Sequence, residues 1–132
     1  MPDNPYQEAM RYIENAMVQL NQAGKDNKFY IDVKYVKSAC GMAYSGALMA
    51  LDQLFVIKNI QSRRRRKSIE YYQKSLSQID KRLLKHLNSA YRLLHLDGYN
   101  DGETDIKAIE AGIDNAVSII KALKPYSNNG SD

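Results

Sequence analysis

All three prolines of this 132-residue chain, Pro2, Pro5 and Pro125, lie close to its ends. Between Pro5 and Pro125 nothing blocks a helix by losing a backbone N–H or by ring clash. The apolar residues keep helical time across that interval. Tyr6, Ala9, Met10, Ile13, Ala16, Met17, Leu20 and Ala23 recur at spacings of three and four, the signature of one buried helix face. Asn4 is placed to cap this first helix, with Pro5 at its first position, where a missing N–H does no harm. Gly24 ends it, and Lys25 to Lys28 read as a polar turn.

A second helix is predicted from an Asp32 cap to about Asn59, with Val33, Val36, Ala39, Cys40, Ala43, Ala47, Ala50, Leu51, Leu54 and Phe55 inward. Its middle is crowded with small residues, among them Ser38, Gly41, Ser45 and Gly46, which implies close packing of neighbouring backbones. Ser68 caps a third helix whose core stripe runs from Ile69 and Tyr72 through Leu76, Ile79, Leu83, Leu87 and Ala90 to Leu94, ending near Leu96. Asp97 to Gly102 is turn chemistry. Thr104 then caps a fourth helix, with Asp105 in its first turn, that reaches Pro125. The expected fold is all-α, an antiparallel up-down-up-down four-helix bundle. It forms one domain over residues 1–126, followed by a polar, disordered tail at 127–132.

Size and composition fit that reading. A chain of this length buries roughly two thirds of its unfolded surface without a staple. The lone Cys40 excludes an intrachain disulfide framework and fits a reducing compartment. Met1-Pro2-Asp3-Asn4-Pro5 lacks the basic start and apolar run of a signal peptide, and no window holds roughly 18 uninterrupted apolar residues. The expectation is a cytoplasmic protein with no membrane partner.

Charge is concentrated in one place. Six of the 19 Lys and Arg fall between Lys58 and Lys67, and without them the formal charge of +4 becomes −2. The run Arg63, Arg64, Arg65, Arg66 and Lys67 therefore suggests an anionic partner, RNA, DNA, a phosphate ligand or an acidic protein patch, without choosing among them, and a solvated turn is the competing reading. Tyr71 and Tyr72 follow it, in a chain with ten tyrosines, two phenylalanines and no tryptophan. Tyr71 with the cations would make a nucleic-acid surface, phosphate on cation and base on ring, or else a rim position with a wet hydroxyl; Tyr72 reads as core.

The segment Tyr12-Ile13-Glu14-Asn15-Ala16 and the run from Tyr35 to Leu51, rich in alanine and tyrosine, resemble the opening helical pair of the HEPN superfamily. Asp105 to Ala116 is similar to the closing helix of such bundles. Within that superfamily the chain is most similar to an uncharacterised family of small bacterial four-helix proteins. The resemblance implies a homodimer. In catalytic members it implies a metal-independent ribonuclease with an Arg followed by a His after four to six intervening residues.

That spacing is absent. Arg82 precedes His86 with three residues between, and Arg92 precedes His95 with two. Both pairs share a helix face, so an imidazole and a guanidinium stay within reach of one phosphate, but no residue is assigned as catalytic. Structural roles compete: His86 flanks the apolar stripe, and His95 sits in a last helical turn where a cation suits the dipole. Two histidines without a matching carboxylate motif do not make a zinc set, and Asp97 to Asp105 lacks the calcium-loop pattern, so neither metal nor cofactor is expected. Along a straight third helix the basic run and His95 stand about 40 Å apart. Two function classes follow: a non-enzymatic binding or regulatory homodimer, or an RNA-directed protein, either a binder through Arg63 to Lys67 or a divergent metal-independent ribonuclease using Arg92 with His95 or Arg82 with His86.

Overall fold

The computed structural model describes residues 4–60 and 67–127. Arg63 to Arg66 and the tail at 128–132 lie outside the described residues. Helix α1 runs Pro5–Ala23 and α2 runs Val33–Ile57. The caps fall where the residue chemistry puts them. Asn4 Oδ1 accepts from the Tyr6 and Gln7 amides, Asp32 from the Lys34 amide and Ser68 from the Tyr71 amide. Gly24 closes α1 with a φ of 73°, a value that its lack of a Cβ permits.

The structure is all-α apart from one small hairpin, but the bundle is not the four-helix one expected. Five α-helices are present among the described residues, because the predicted third helix is broken. Helix α3 spans Ile69–Ile79 and α4 spans Lys81–Ala90. Asp80 between them is extended, with φ −161° and ψ 98°; its amide closes α3 on the Leu76 carbonyl while its carboxylate caps α4 at the Leu83 amide, 3.0 Å away. The reason is local chemistry. Ser77 and Asp80 bond backbone groups in competition with helix: Ser77 Oγ donates to the Lys74 carbonyl at 2.6 Å, and Asp80 Oδ1 accepts from the Leu83 amide. The chain then doubles back. Gln73 Nε2 donates to Asn88 Oδ1 at 2.8 Å, although fifteen residues of straight helix would hold them about 22 Å apart.

Two further segments differ. Lys25–Asp26 (β1) and Phe29–Tyr30 (β2) pair antiparallel where a simple turn was expected. This hairpin is tied to the far end of the chain, since the Tyr30 amide donates to the Thr104 carbonyl and the Ile106 amide to the Lys28 carbonyl. Thr104 is thereby spent, and Asp105 instead caps α5, Ile106–Lys121, through the Ala108 amide at 2.9 Å. Beyond α4 the helix does not stop near Leu96. It continues as a π-helical segment, Tyr91–Asn100, through what the residue types mark as a turn.

Helix α2 lies at the centre, packed by α1, α5 and the π segment. It is long and apolar enough to cross a membrane by length and composition only; here its Val36, Cys40, Ala43, Ala47, Leu51 and Phe55 are buried in the core, while Val33, Val56 and Ile57 are exposed. The small residues mark the close approaches. A Cβ at Gly46 would stand 2.8 Å from Tyr12 Cβ on α1.

Burial raises the pKa of several groups. The Cys40 thiol is pushed up to about 12 by burial alone, and the Tyr44 and Tyr72 phenols are raised chiefly by burial, with Tyr91 and Asp52 respectively adding to it. Groups held protonated in the folded state contribute stability that is complete below their unfolded values, 9.0 for the thiol and 10.0 for the phenols, and that is lost as pH rises through the folded values. The thermal midpoint is therefore expected to hold to about pH 9 and then fall steadily, and native Cys40 to resist iodoacetamide until the chain unfolds. A midpoint unchanged to about pH 11 would contradict this.

Candidate nucleic-acid interface

Tyr91, His95 and Tyr99 stand four residues apart on the π segment. In an α-helix positions four apart drift sideways, and the wider π turn takes out much of that drift. Their rings line up. Tyr91 and His95 have centroids 5.3 Å apart with planes 23° from parallel; His95 and Tyr99 are 6.1 Å apart at 9°. Tyr44 of α2 joins from the side, its ring 5.1 Å from His95 at 26°. Backbone bonds from the Asp101 amide to the Leu96 carbonyl and from Glu103 to Asp97 hold the wide turn. Gly98 holds it against α2, because any Cβ there would collide with Cys40 Sγ.

Tyr44, His95 and Tyr99 wall an open groove of about 510 Å³, with Tyr91 stacked behind His95 and outside its lining. Its floor is the stripe Ser38, Gly41 and Ser45 on α2, and Gly41 lets Tyr99 lie close, since a Cβ there would stand 3.2 Å from the ring. Tyr12 and Met42 form the rim. Among the described residues, no hydrogen bond engages the side chains of Ser38, Tyr44, Ser45 and His95. Tyr44 stays a neutral phenol at any physiological pH, for the reasons of burial given above. The arrangement offers flat π faces, hydroxyls and an imidazole: the chemistry that receives a planar heterocycle.

Lys67, Tyr71, Tyr72, His86 and Arg92 do not line this groove. Lys67 is half-buried and its Nζ pairs with Asp52 Oδ1 of α2 at 3.2 Å. Tyr72 is buried as expected, its hydroxyl donating to the same carboxylate oxygen at 2.9 Å. Tyr71 is half-buried, edge-on to Phe55 at 5.8 Å and to Tyr72 at 5.2 Å. His86 is half-buried, with Nδ1 2.9 Å from Asn115 Oδ1, and shares a second groove with Lys81, Arg82 and Lys85. Arg92 is exposed. His95 is not in a last helical turn but midway along the π segment, inside the ring stack.

For Lys67, the one described residue of the basic run, the 40 Å separation from His95 does not hold. Lys67 sits on Asp52 and His95 on Tyr44, and those two α2 residues are eight apart, about 12 Å at helical rise, along one ridge through Leu48. The break at Asp80 is what permits it. Between residues 58 and 92 the chain carries eleven Lys and Arg against two acids, Glu70 and Asp80. The groove itself was missed from the residues, although Tyr91, His95 and Tyr99 at intervals of four are visible there; helical periodicity assigns such a set to a face without saying that it stacks. Among the described residues no three His, Cys, Asp or Glu side chains gather to hold a metal.

Among the described residues the chain is an all-α fold with an aromatic groove between α2 and the π segment. It belongs to the family described as Domain of unknown function (DUF5618), which matches residues 4–125. It is similar to a protein of unknown function from Dyadobacter fermentans of solved structure: the two share 37% identity with a TM-score of 0.84, over 92% of this chain and 95% of that one. No curated protein matches it.

Proposed function

We propose that this chain is a non-enzymatic module that binds single-stranded nucleic acid, with bases on the Tyr44–Tyr91–His95–Tyr99 rings and phosphates on the cations that follow residue 60. The observation that carries this reading is the near-parallel ring stack sharing one α2 ridge with Lys67. Base stacking on aromatic side chains contributes about 1–3 kcal/mol per base and tolerates any sequence, and a cationic track alongside supplies salt-dependent affinity. No nucleophile or metal chemistry is required. The HEPN-like ancestry implied by the first two helices, a cytoplasmic setting and assembly as a homodimer belong to the same proposal.

Fluorescence anisotropy with a 5′-hydroxyl single-stranded RNA tests it. Affinity is expected to fall steeply between 50 and 200 mM salt, and replacing Arg63, Arg64, Arg65 and Arg66 with serine to flatten that dependence by about 0.7 in log–log slope for each phosphate no longer neutralised. No binding at 50 mM salt would end the reading. Light scattering reads the homodimer separately, and a single-chain mass removes that part alone.

A further inference from the structure

The second groove, about 570 Å³, is lined by Lys81, Arg82, Lys85 and His86 of α4. It lies at the other end of the α4–π rod from the ring stack. Among the described residues, ion pairs are made by Arg11 with Glu8 and by Lys67 with Asp52, so none engages these three cations. The nearest acid in sequence, Asp80, is occupied in capping the Leu83 amide.

His86 is fixed by a chain of bonds. Asn115 Nδ2 donates to the Ala111 carbonyl at 2.8 Å, which turns Oδ1 toward the imidazole, so Nδ1 at 2.9 Å carries the proton and donates. Nε2 is left as the available ring nitrogen. A neutral ring there accepts the P–OH of a singly protonated phosphate, and a charged ring donates to the dianion. Phosphomonoesters interconvert between those two forms near neutral pH, whereas a backbone diester has no P–OH to give. Two lysines and a guanidinium match the remaining charge, the guanidinium by paired N–H donors.

We propose that Lys81, Arg82, Lys85 and His86 form a binding site for a phosphomonoester, separate from the aromatic groove. The same group could reach it as the 5′-phosphate of an RNA strand or as a free phosphate ligand, and the test separates the two. Inorganic phosphate is titrated into the full chain at constant ionic strength, with chloride as the reference, and followed by NMR at the amides of residues 81–86 and the His86 ring. Shifts confined to that segment are expected. The double variant Arg82→Ser/Lys85→Ser, both residues exposed, should weaken phosphate at least tenfold, and Asn115→Leu, which frees the imidazole without changing charge, about threefold. In a second arm, a 5′-phosphorylated RNA that binds about tenfold tighter than its 5′-hydroxyl form identifies the strand end as the source; equal affinities identify a free phosphate ligand. Phosphate shifts no more localised than those of chloride, or a double variant with unchanged phosphate affinity, would overturn the site. Because inorganic phosphate needs no base stacking, that failure is distinct from failure of the RNA reading.

Discussion

Gly98→Ala is expected to lower stability by about 2 kcal/mol and to release the π segment from α2. The new methyl would collide with Cys40 Sγ, stand 3.0 Å from Cys40 Cβ and 3.1 Å from the Leu93 carbonyl. None of these can swing away, since Cys40 is fully buried on the central helix and Leu93 offers backbone. Overpacking of this kind costs about 3 kcal/mol, and the better helix propensity of alanine returns about 1. Thermal denaturation should show a midpoint lowered by about 8 °C. Cys40→Ala in the same chain removes the sulfur, so the double variant should recover at least about 1 kcal/mol relative to the sum of the two single variants. Strict additivity would mean that the two helices do not meet as described.

The second large effect is on binding. Tyr44→Leu/His95→Leu removes two faces of the ring stack while keeping apolar bulk beside α2, and it is expected to reduce affinity for single-stranded RNA by about 100-fold, two bases at roughly 1.4 kcal/mol each. The salt dependence should stay as it was, because no cation has changed. That combination distinguishes a base platform from a core position. If the groove were merely packing, the variant would lose stability and leave affinity per folded molecule intact. Far-UV circular dichroism on the same samples controls for folding.

Much of this fold is legible in the residues because local chemistry and tertiary packing agree. Asn4, Gly24, Asp32 and Ser68 act where their side chains or φ freedom dictate, and Val36, Ala43, Leu51 and Leu87 are buried as spacing requires. Where the two levels compete, the reading fails. Leu76 and Leu83 continue one stripe across Asp80, so periodicity sees a single helix; the fold-back is decided by Asp80 capping in both directions and by the bond from Gln73 to Asn88, a contact with no local trace. Ile79, expected in the core, is 39% exposed as a result. Asp97, Gly98 and Asn100 have turn chemistry, yet the close fit of Gly98 on Cys40 keeps them helical. The candidate site follows the same logic: the basic run is visible in the residues, but the nearness of Lys67 to His95 depends on the break.

The most direct test of a base-binding ring stack is to see which residues a base touches. A short single-stranded RNA carrying 4-thiouridine, irradiated with the full chain at 50 mM salt and mapped by peptide mass spectrometry, should crosslink to Tyr44, Tyr91, His95 or Tyr99. Crosslinks that avoid all four rings while the RNA remains bound would contradict the account.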